Sequence, residues 1–248
     1  SSTAAGQQGR GSIVKEMSFG WKYISERKGL LALLMYFAAS NFVSSIAVVI
    51  FTPLVLGFST TPVLGLLSSI AGIGFLAGSV LMSTWGGPKR KITGIYLASL
   101  VLSLALFLIG LTKNPVLLGI GAFFAFIGSP ITSACSQVIW QRKTAPDIQG
   151  RVFSYRRVIA FSTIPIAYAL AGPLADLVFN PLLVEGGKLA SSLGRIIGVG
   201  TGRGIGLMYI LLGALLLVAT AFAYSSPHLR NVEQELPDMS PAVEKQPQ

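Results

Sequence analysis

The chain has 248 residues, 52% hydrophobic and only 11% charged, with a mean hydropathy of +0.69 and a formal net charge of +10. Soluble domains carry about a quarter charged residues, so this composition cannot clothe a water-facing surface. From Gly29 to Pro88 sixty residues pass without Asp, Glu, Lys, Arg or His, which excludes a soluble fold and reads as a polytopic membrane protein.

Residues 1–12, small and polar, read as a disordered segment. Residues 13–29 ("IVKEMSFGWKYISERKG") form an amphipathic approach, with Phe19, Trp21 and Tyr23 suited to a membrane interface. Six apolar spans follow within 30–224: Leu30 to Thr52, punctuated by Pro53 and Gly57; Pro62 to Trp85; Ile92 to Leu111; Pro115 to Trp140; Val152 to Val178; and Ile205 to Tyr224. Their lengths suit tilted helices, and no strict apolar/polar alternation favours a barrel. Residues 225–248 read as a polar cytoplasmic tail without order. The chain opens with Ser and no signal-peptide pattern, so it is expected to be a piece of a longer reading frame.

Orientation follows the cations. With the amino terminus inside, alternate connections place fifteen of nineteen basic residues in the cytoplasm and leave Lys113, Lys188, Arg195 and Arg203 outside. Both termini are thus expected in the cytoplasm, with the bundle in the cell (inner) membrane. The loop "QRKTAPDIQGRVFSYRR" holds five of those cations in seventeen residues. Pro146 disfavours helix at Ala145, Asp147 is placed to cap a helix from Ile148, and Asp147 and Arg151 stand four apart on one face. A solvated anchor loop explains most of this; a gate whose charges re-pair is the sharper alternative.

Polar residues concentrate in two spans. The first carries Ser40, Asn41, Ser44 and Ser45; the fourth places Ser129, Ser133, Ser136 and Trp140 on one helical face, with Gln137 beside it. Hydroxyls and amides facing lipid are unfavourable, so these stripes are expected to line a substrate cavity or to join helices. Both readings stay open. The sixth span is almost wholly apolar and reads as lipid-facing.

Other signals carry less. "RIIGVGTGRGIG" lacks the spacing and the Lys-Ser/Thr pair of a phosphate loop and reads as a re-entry turn. Asp176, at the outer end of the fifth span, reads as an interfacial residue paired with Arg195 or Arg203, with a coupling or outer-gate carboxylate as the alternative. The cations lie between spans rather than along one surface, so no nucleic-acid partner is expected. Cys135 is the sole cysteine and His228 the sole histidine. A disulfide within the chain and a multi-cysteine metal site are excluded, no cofactor is expected, and no spanning His or Lys offers a serine-protease base, so an enzyme is not expected.

Three segments carry a family resemblance. "GFLAGSVLMSTWGGPKRK" resembles the loop joining the second and third helices of a six-helix half in the major facilitator superfamily. "APDIQGRVFSYRRVIAFSTIPIAYALAGPLAD" is similar to the tenth-to-eleventh helix connection of exporters there, in the macrolide-efflux and transmembrane secretion permease branch. "VEGGKLASSLGRIIGVGTGRGIGLMYILLGA" resembles the last outer loop and twelfth helix of that branch.

The resemblance spans about Val14 to Pro237 and implies an all-α fold of six transmembrane helices in a 3+3 inverted repeat, the carboxy-terminal half of a twelve-helix transporter. It implies that the first and fourth helices line the cavity, that the third and sixth face lipid, and that Lys89, Arg90, Lys91, Asp147, Gly150 and Arg151 belong to a cytoplasmic gate. Ser83 and Thr84 stand where the family loop carries an Asp and a basic residue, a departure in that gate. The implied function is export of a small organic molecule, drug or secreted metabolite by alternating access, with an amino-terminal six-helix half as partner. A non-transporting membrane module, remnant or assembly partner is the alternative, and a homodimer of halves a further one.

Overall fold

The computed structural model describes residues 20–235 and 237–239. The expectation for residues 1–12 lies outside them, as do Phe19 and the end of the tail. Six long helices, each apolar enough to cross a bilayer, make up the bundle: α1 (Lys28–Leu56), α2 (Thr61–Trp85), α3 (Lys91–Leu111), α4 (Pro115–Lys143), α5 (Gln149–Pro173) and α6 (Arg203–Ser225). Among the described residues there is no strand. The chain is a multi-pass membrane protein.

Helix limits follow local chemistry. Pro62 and Pro115 sit in first turns, where a missing N–H removes no helical bond, and the Asn114 side chain accepts from the Val116 N–H at 2.8 Å. Gly86 ends α2 in the left-handed conformation (φ 72°), its N–H bonded to Met82. Two limits depart from expectation. Pro53 lies inside α1, which continues to Leu56 before Gly57 donates back to Pro53. Beyond Pro173, whose ring cannot donate to the preceding turn, the fifth span widens into a π turn over Leu174–Phe179 and runs on to Leu183.

The helices pack in the spatial order α5, α1, α6, α3, α4, α2. Exchanging α1, α2 and α3 for α4, α5 and α6 leaves the principal pairs unchanged: α1–α5 maps onto α4–α2, α6–α1 onto α3–α4, and α3–α6 onto itself. That is the pairing expected of a 3+3 inverted repeat. Close approach is built from glycine where backbones meet. A Cβ at Gly74 or Gly78 on α2 would collide with the carbonyl oxygens of Phe123 and Ile127 on α4, a small-xxx-small contact.

The sixth helix corrects an expectation. It lies between α1 and α3 and buries Ile205, Met208, Tyr209, Leu212, Leu216 and Thr220, while Leu215, Val218 and Phe222 remain exposed. An apolar helix fits the interior of a bundle as well as lipid, so composition alone did not separate the two. Both α3 and α6 therefore bury one face and present only the other outward.

The carboxy-terminal segment also differs from the unordered tail expected. Leu229 and Val232 are buried in a cluster with Tyr23, Ile24, Leu30, Ile92, Trp140 and Ile148. The Glu233 carboxylate accepts from the N–H groups of Lys91 and Ile92, both at 3.1 Å, at the start of α3, where the helix dipole favours an anion. Lys143 Nζ donates to the Glu233 carbonyl at 2.6 Å and to Asp238 at 2.7 Å. Apolar residues three apart thus dock a polar-looking segment across the end of the bundle that carries the basic clusters, hereafter the basic end.

Candidate functional site

The fifth span organises the polar interior. At 100° per residue, Arg156, Ala160 and Thr163 fall on one face of α5. Arg156 Nη1 donates to Gln137 Oε1 at 3.0 Å and Nη2 to Ser136 Oγ at 2.9 Å, both on α4, and its guanidinium stands 5.1 Å from the Trp140 ring centroid. One turn on, the Ala160 carbonyl accepts from Asn41 Nδ2 of α1 at 2.7 Å; Thr163 Oγ1 donates to the Ala38 carbonyl at 3.2 Å. The two polar stripes are joined through α5, since α1 and α4 are not direct packing partners.

The stripe on α4 divides along its length. Ser129 and Ser133 are exposed, Gln137 is half-buried, and Ser136 and Trp140 are buried. Ser136 and Trp140 line no open surface of this chain; they back the Arg156 guanidinium. On α1, Ser40, Asn41 and Ser44 are half-buried and Ser45 is buried. Cys135, adjacent to Ser136, turns the other way into the core.

At the basic end, Lys89 and Arg90 are exposed, and Lys91 Nζ bonds the Gly86 carbonyl at 2.7 Å, tying the α2–α3 loop to itself. Asp147 and Gly150 are exposed and Arg151 is half-buried. The helix starts one residue later than expected: Ile148, not Asp147, occupies the cap position of α5, and it makes no side-chain cap bond. Gln149 closes that turn instead, its Nε2 donating to the carbonyls of Thr144 (3.0 Å) and Gln141 (3.1 Å). Tyr23 is buried rather than interfacial; its hydroxyl donates to the Lys143 carbonyl at 2.9 Å, and Arg27 lies 3.6 Å over its ring. Burial pushes the Tyr23 phenol up, with Arg27 opposing. Trp21 is exposed, its ring 6.0 Å from that of Tyr155.

At the opposite end Asp176 is exposed and accepts from Asn180 at 3.3 Å. It forms no ion pair with Arg195 or Arg203. The Arg203 side chain is buried and donates to the carbonyls of Gly110 (2.8 Å) and Thr112 (3.5 Å), the negative end of the α3 dipole. The glycine-rich loop before α6 turns with Gly202 in the left-handed conformation at the start of that helix.

Arg156 and Glu233 are functional-looking residues that the sequence alone concealed. Arg156 read as one more loop cation, because the fifth span was expected to start at Val152 and its two polar neighbours lie nineteen and twenty residues upstream.

A six-helix bundle with this repeat topology has its counterpart among known sequences. The profile of the Major Facilitator Superfamily matches residues 1–170. The chain belongs to the Major Facilitator Superfamily. Among curated relatives it is 27% identical over 175 residues to Macrolide efflux protein A of Streptococcus pyogenes, covering 66% of this chain and 42% of that protein. It is also 27% identical over 165 residues to Macrolide efflux protein A of Enterococcus faecalis, covering 62% and 49%. The chain thus spans less than half the length of these superfamily relatives. No solved structure matches it.

Proposed function

We propose that the chain is the carboxy-terminal six-helix half of a secondary transporter that exports a small organic molecule by alternating access. An amino-terminal six-helix half, on the same longer chain or on a partner, completes it. The observation that carries this reading is the exposure of Ser129 and Ser133 on α4. Hydroxyls left uncovered at membrane depth are unfavourable against acyl chains, so a second bundle and a wet passage between the two are the natural cover. Family membership and the efflux names of the relatives support the same reading.

The basic end then faces the cytoplasm of a cell membrane, as the distribution of cations favours. Lys89, Arg90, Lys91, Asp147, Gly150 and Arg151 stand where a cytoplasmic gate would open and close. Arg156 lies just inside that gate, tying α5 to α4 within the second three-helix repeat. Among the described residues Asp176 is the acid on the spans, and it is exposed near the opposite end, so a proton-coupling carboxylate in the pathway is assigned to the other half. Uncharged hydroxyls on the α4 wall suit a mixed-polarity organic molecule better than a small ion.

Efflux from vesicles containing the full reading frame tests the proposal. Accumulation of a fluorescent organic substrate should fall on expression and recover in a Ser133→Trp variant that occludes the passage. Unchanged accumulation across a panel of organic cations, anions and neutral molecules favours a non-transporting membrane module instead.

A further inference from the structure

The back of the bundle carries a second site of a different kind. Between α3 and α6, at the basic end, lies a groove of about 400 Å3. Leu97, Leu100, Leu217 and Ala221 form its walls, and all four are exposed. The rings of Tyr96 and Tyr224 meet edge to face across it at 5.6 Å. Its mouth is formed by Arg90, just before α3, and Arg230, just after α6.

The polar atoms of this groove are unequally satisfied. The Tyr96 hydroxyl donates to the Ala223 carbonyl at 3.1 Å, and the Thr220 hydroxyl donates to the Leu216 carbonyl at 2.7 Å. The deeper hydroxyls are therefore occupied, and Thr93 and Tyr224, both exposed, carry the other hydroxyls of the lining. The two guanidiniums are different. Both are exposed, and among the described residues neither forms an ion pair; Arg230 stands 6.0 Å from the Tyr224 ring. The neighbouring acids are engaged with other partners. Both Glu233 oxygens are taken by the N–H groups of Lys91 and Ile92, and Glu235 faces His228 at 3.4 Å.

We propose that this groove holds one phospholipid with an anionic headgroup, its phosphate between Arg90 and Arg230 and one acyl chain along the α3–α6 seam. The dimensions agree with that occupant. Ten residues separate Arg90 from Leu100, about 15 Å along a helix, which is half of a hydrocarbon core about 30 Å thick. The groove is thus one leaflet deep, with its cations at headgroup level and tyrosines at the interface. A basic pocket between transmembrane helices is a recurrent anionic-headgroup site, and guanidinium matches phosphate with paired N–H donors. The spatial order of the helices also favours lipid over a protein partner here. The seam lies at the centre of the row, whereas the long uncovered faces belong to α2, α4 and α5. The site stands independently of what the protein transports.

Native mass spectrometry of the full-length protein, released from nanodiscs of mixed phosphatidylglycerol and phosphatidylcholine, tests the proposal. The parent should retain one phosphatidylglycerol in preference to phosphatidylcholine. An R90Q/R230Q double variant should lose that preference by roughly tenfold or more, since each basic residue beside an anionic headgroup contributes about fivefold. Arg157→Gln, an exposed cation of the same end outside the groove, should leave it unchanged. Ala221→Trp should displace the lipid with both arginines intact, and millimolar inorganic phosphate should not compete. Equal retention in the double variant, equal loss in Arg157→Gln, or retention by Ala221→Trp overturns the site. Displacement by inorganic phosphate overturns the lipid as its occupant.

Discussion

Arg156 of α5 donates to the Gln137 side chain of α4 at 3.0 Å, joining two helices that do not otherwise pack along their lengths. Its acceptors, Gln137 and Ser136, are neutral, and the Trp140 ring faces its guanidinium. A cation drawn inward and held by dipoles is a costly element to keep in a bundle, and its bonds to both Gln137 and Ser136 make it the residue on which the relative placement of α4 and α5 depends. Arg156→Met should destabilise the folded protein by about 1–3 kcal/mol through two lost charge-assisted bonds. Arg156→Lys should restore only part, because a point charge cannot span two acceptors as the planar fork does. Thermal unfolding in detergent measures both, and an Arg156→Met variant as stable as the parent contradicts the clasp.

The α2–α4 contact makes a second, sharper prediction. Gly78→Leu forces a side chain into the Ile127 carbonyl, whereas Gly65 on the same helix has nothing within 4 Å of an added Cβ. Fluorescence-detected size exclusion should show Gly78→Leu largely aggregated and Gly65→Leu monodisperse, although both replace glycine by leucine in an apolar helix. Equal behaviour of the two variants contradicts the packed pair.

Docking of the carboxy-terminal segment is testable without a substrate. Glu233→Ala leaves the first N–H groups of α3 without their acceptor and should cost about 1 kcal/mol. Hydrogen exchange should quicken at Lys91 and Ile92 while the centre of α3 is unaffected. Truncation after Ser226 should go further and expose the cluster around Tyr23, Ile24 and Leu30, against which Leu229 and Val232 pack.

Much of this architecture was legible from residues alone. Uninterrupted apolar runs, with Pro62 and Pro115 at their starts and Gly86 at one end, located the six spans to within a few residues except the fifth, where Pro173 and the π turn lengthen a helix that polarity seemed to close at Val178. The two polar stripes were visible because Ser, Asn and Gln are rare in apolar sequence. Their division of labour was not. Ser133 and Ser136 lie three residues apart and look equivalent as letters, yet one is exposed and the other bonds Arg156, a difference set by which helix crosses at that height. The burial of α6 was hidden for a related reason: hydropathy scores lipid and protein interior alike. The docked tail was hidden because Leu229 and Val232 are only two apolar residues in a polar segment, and their partners arrive from three other helices.

The central claim is that the exposed hydroxyls of α4 border water rather than acyl chains in the assembled transporter. Maleimide labelling of Ser133→Cys measures this most directly, in a Cys135→Ser background and in intact membrane vesicles of the full reading frame, with Phe222→Cys on the outward face of α6 as comparison. The account predicts that a membrane-impermeant maleimide modifies position 133 in the membrane and leaves position 222 unmodified until detergent is added. A position 133 as unreactive as position 222 in intact vesicles would contradict it.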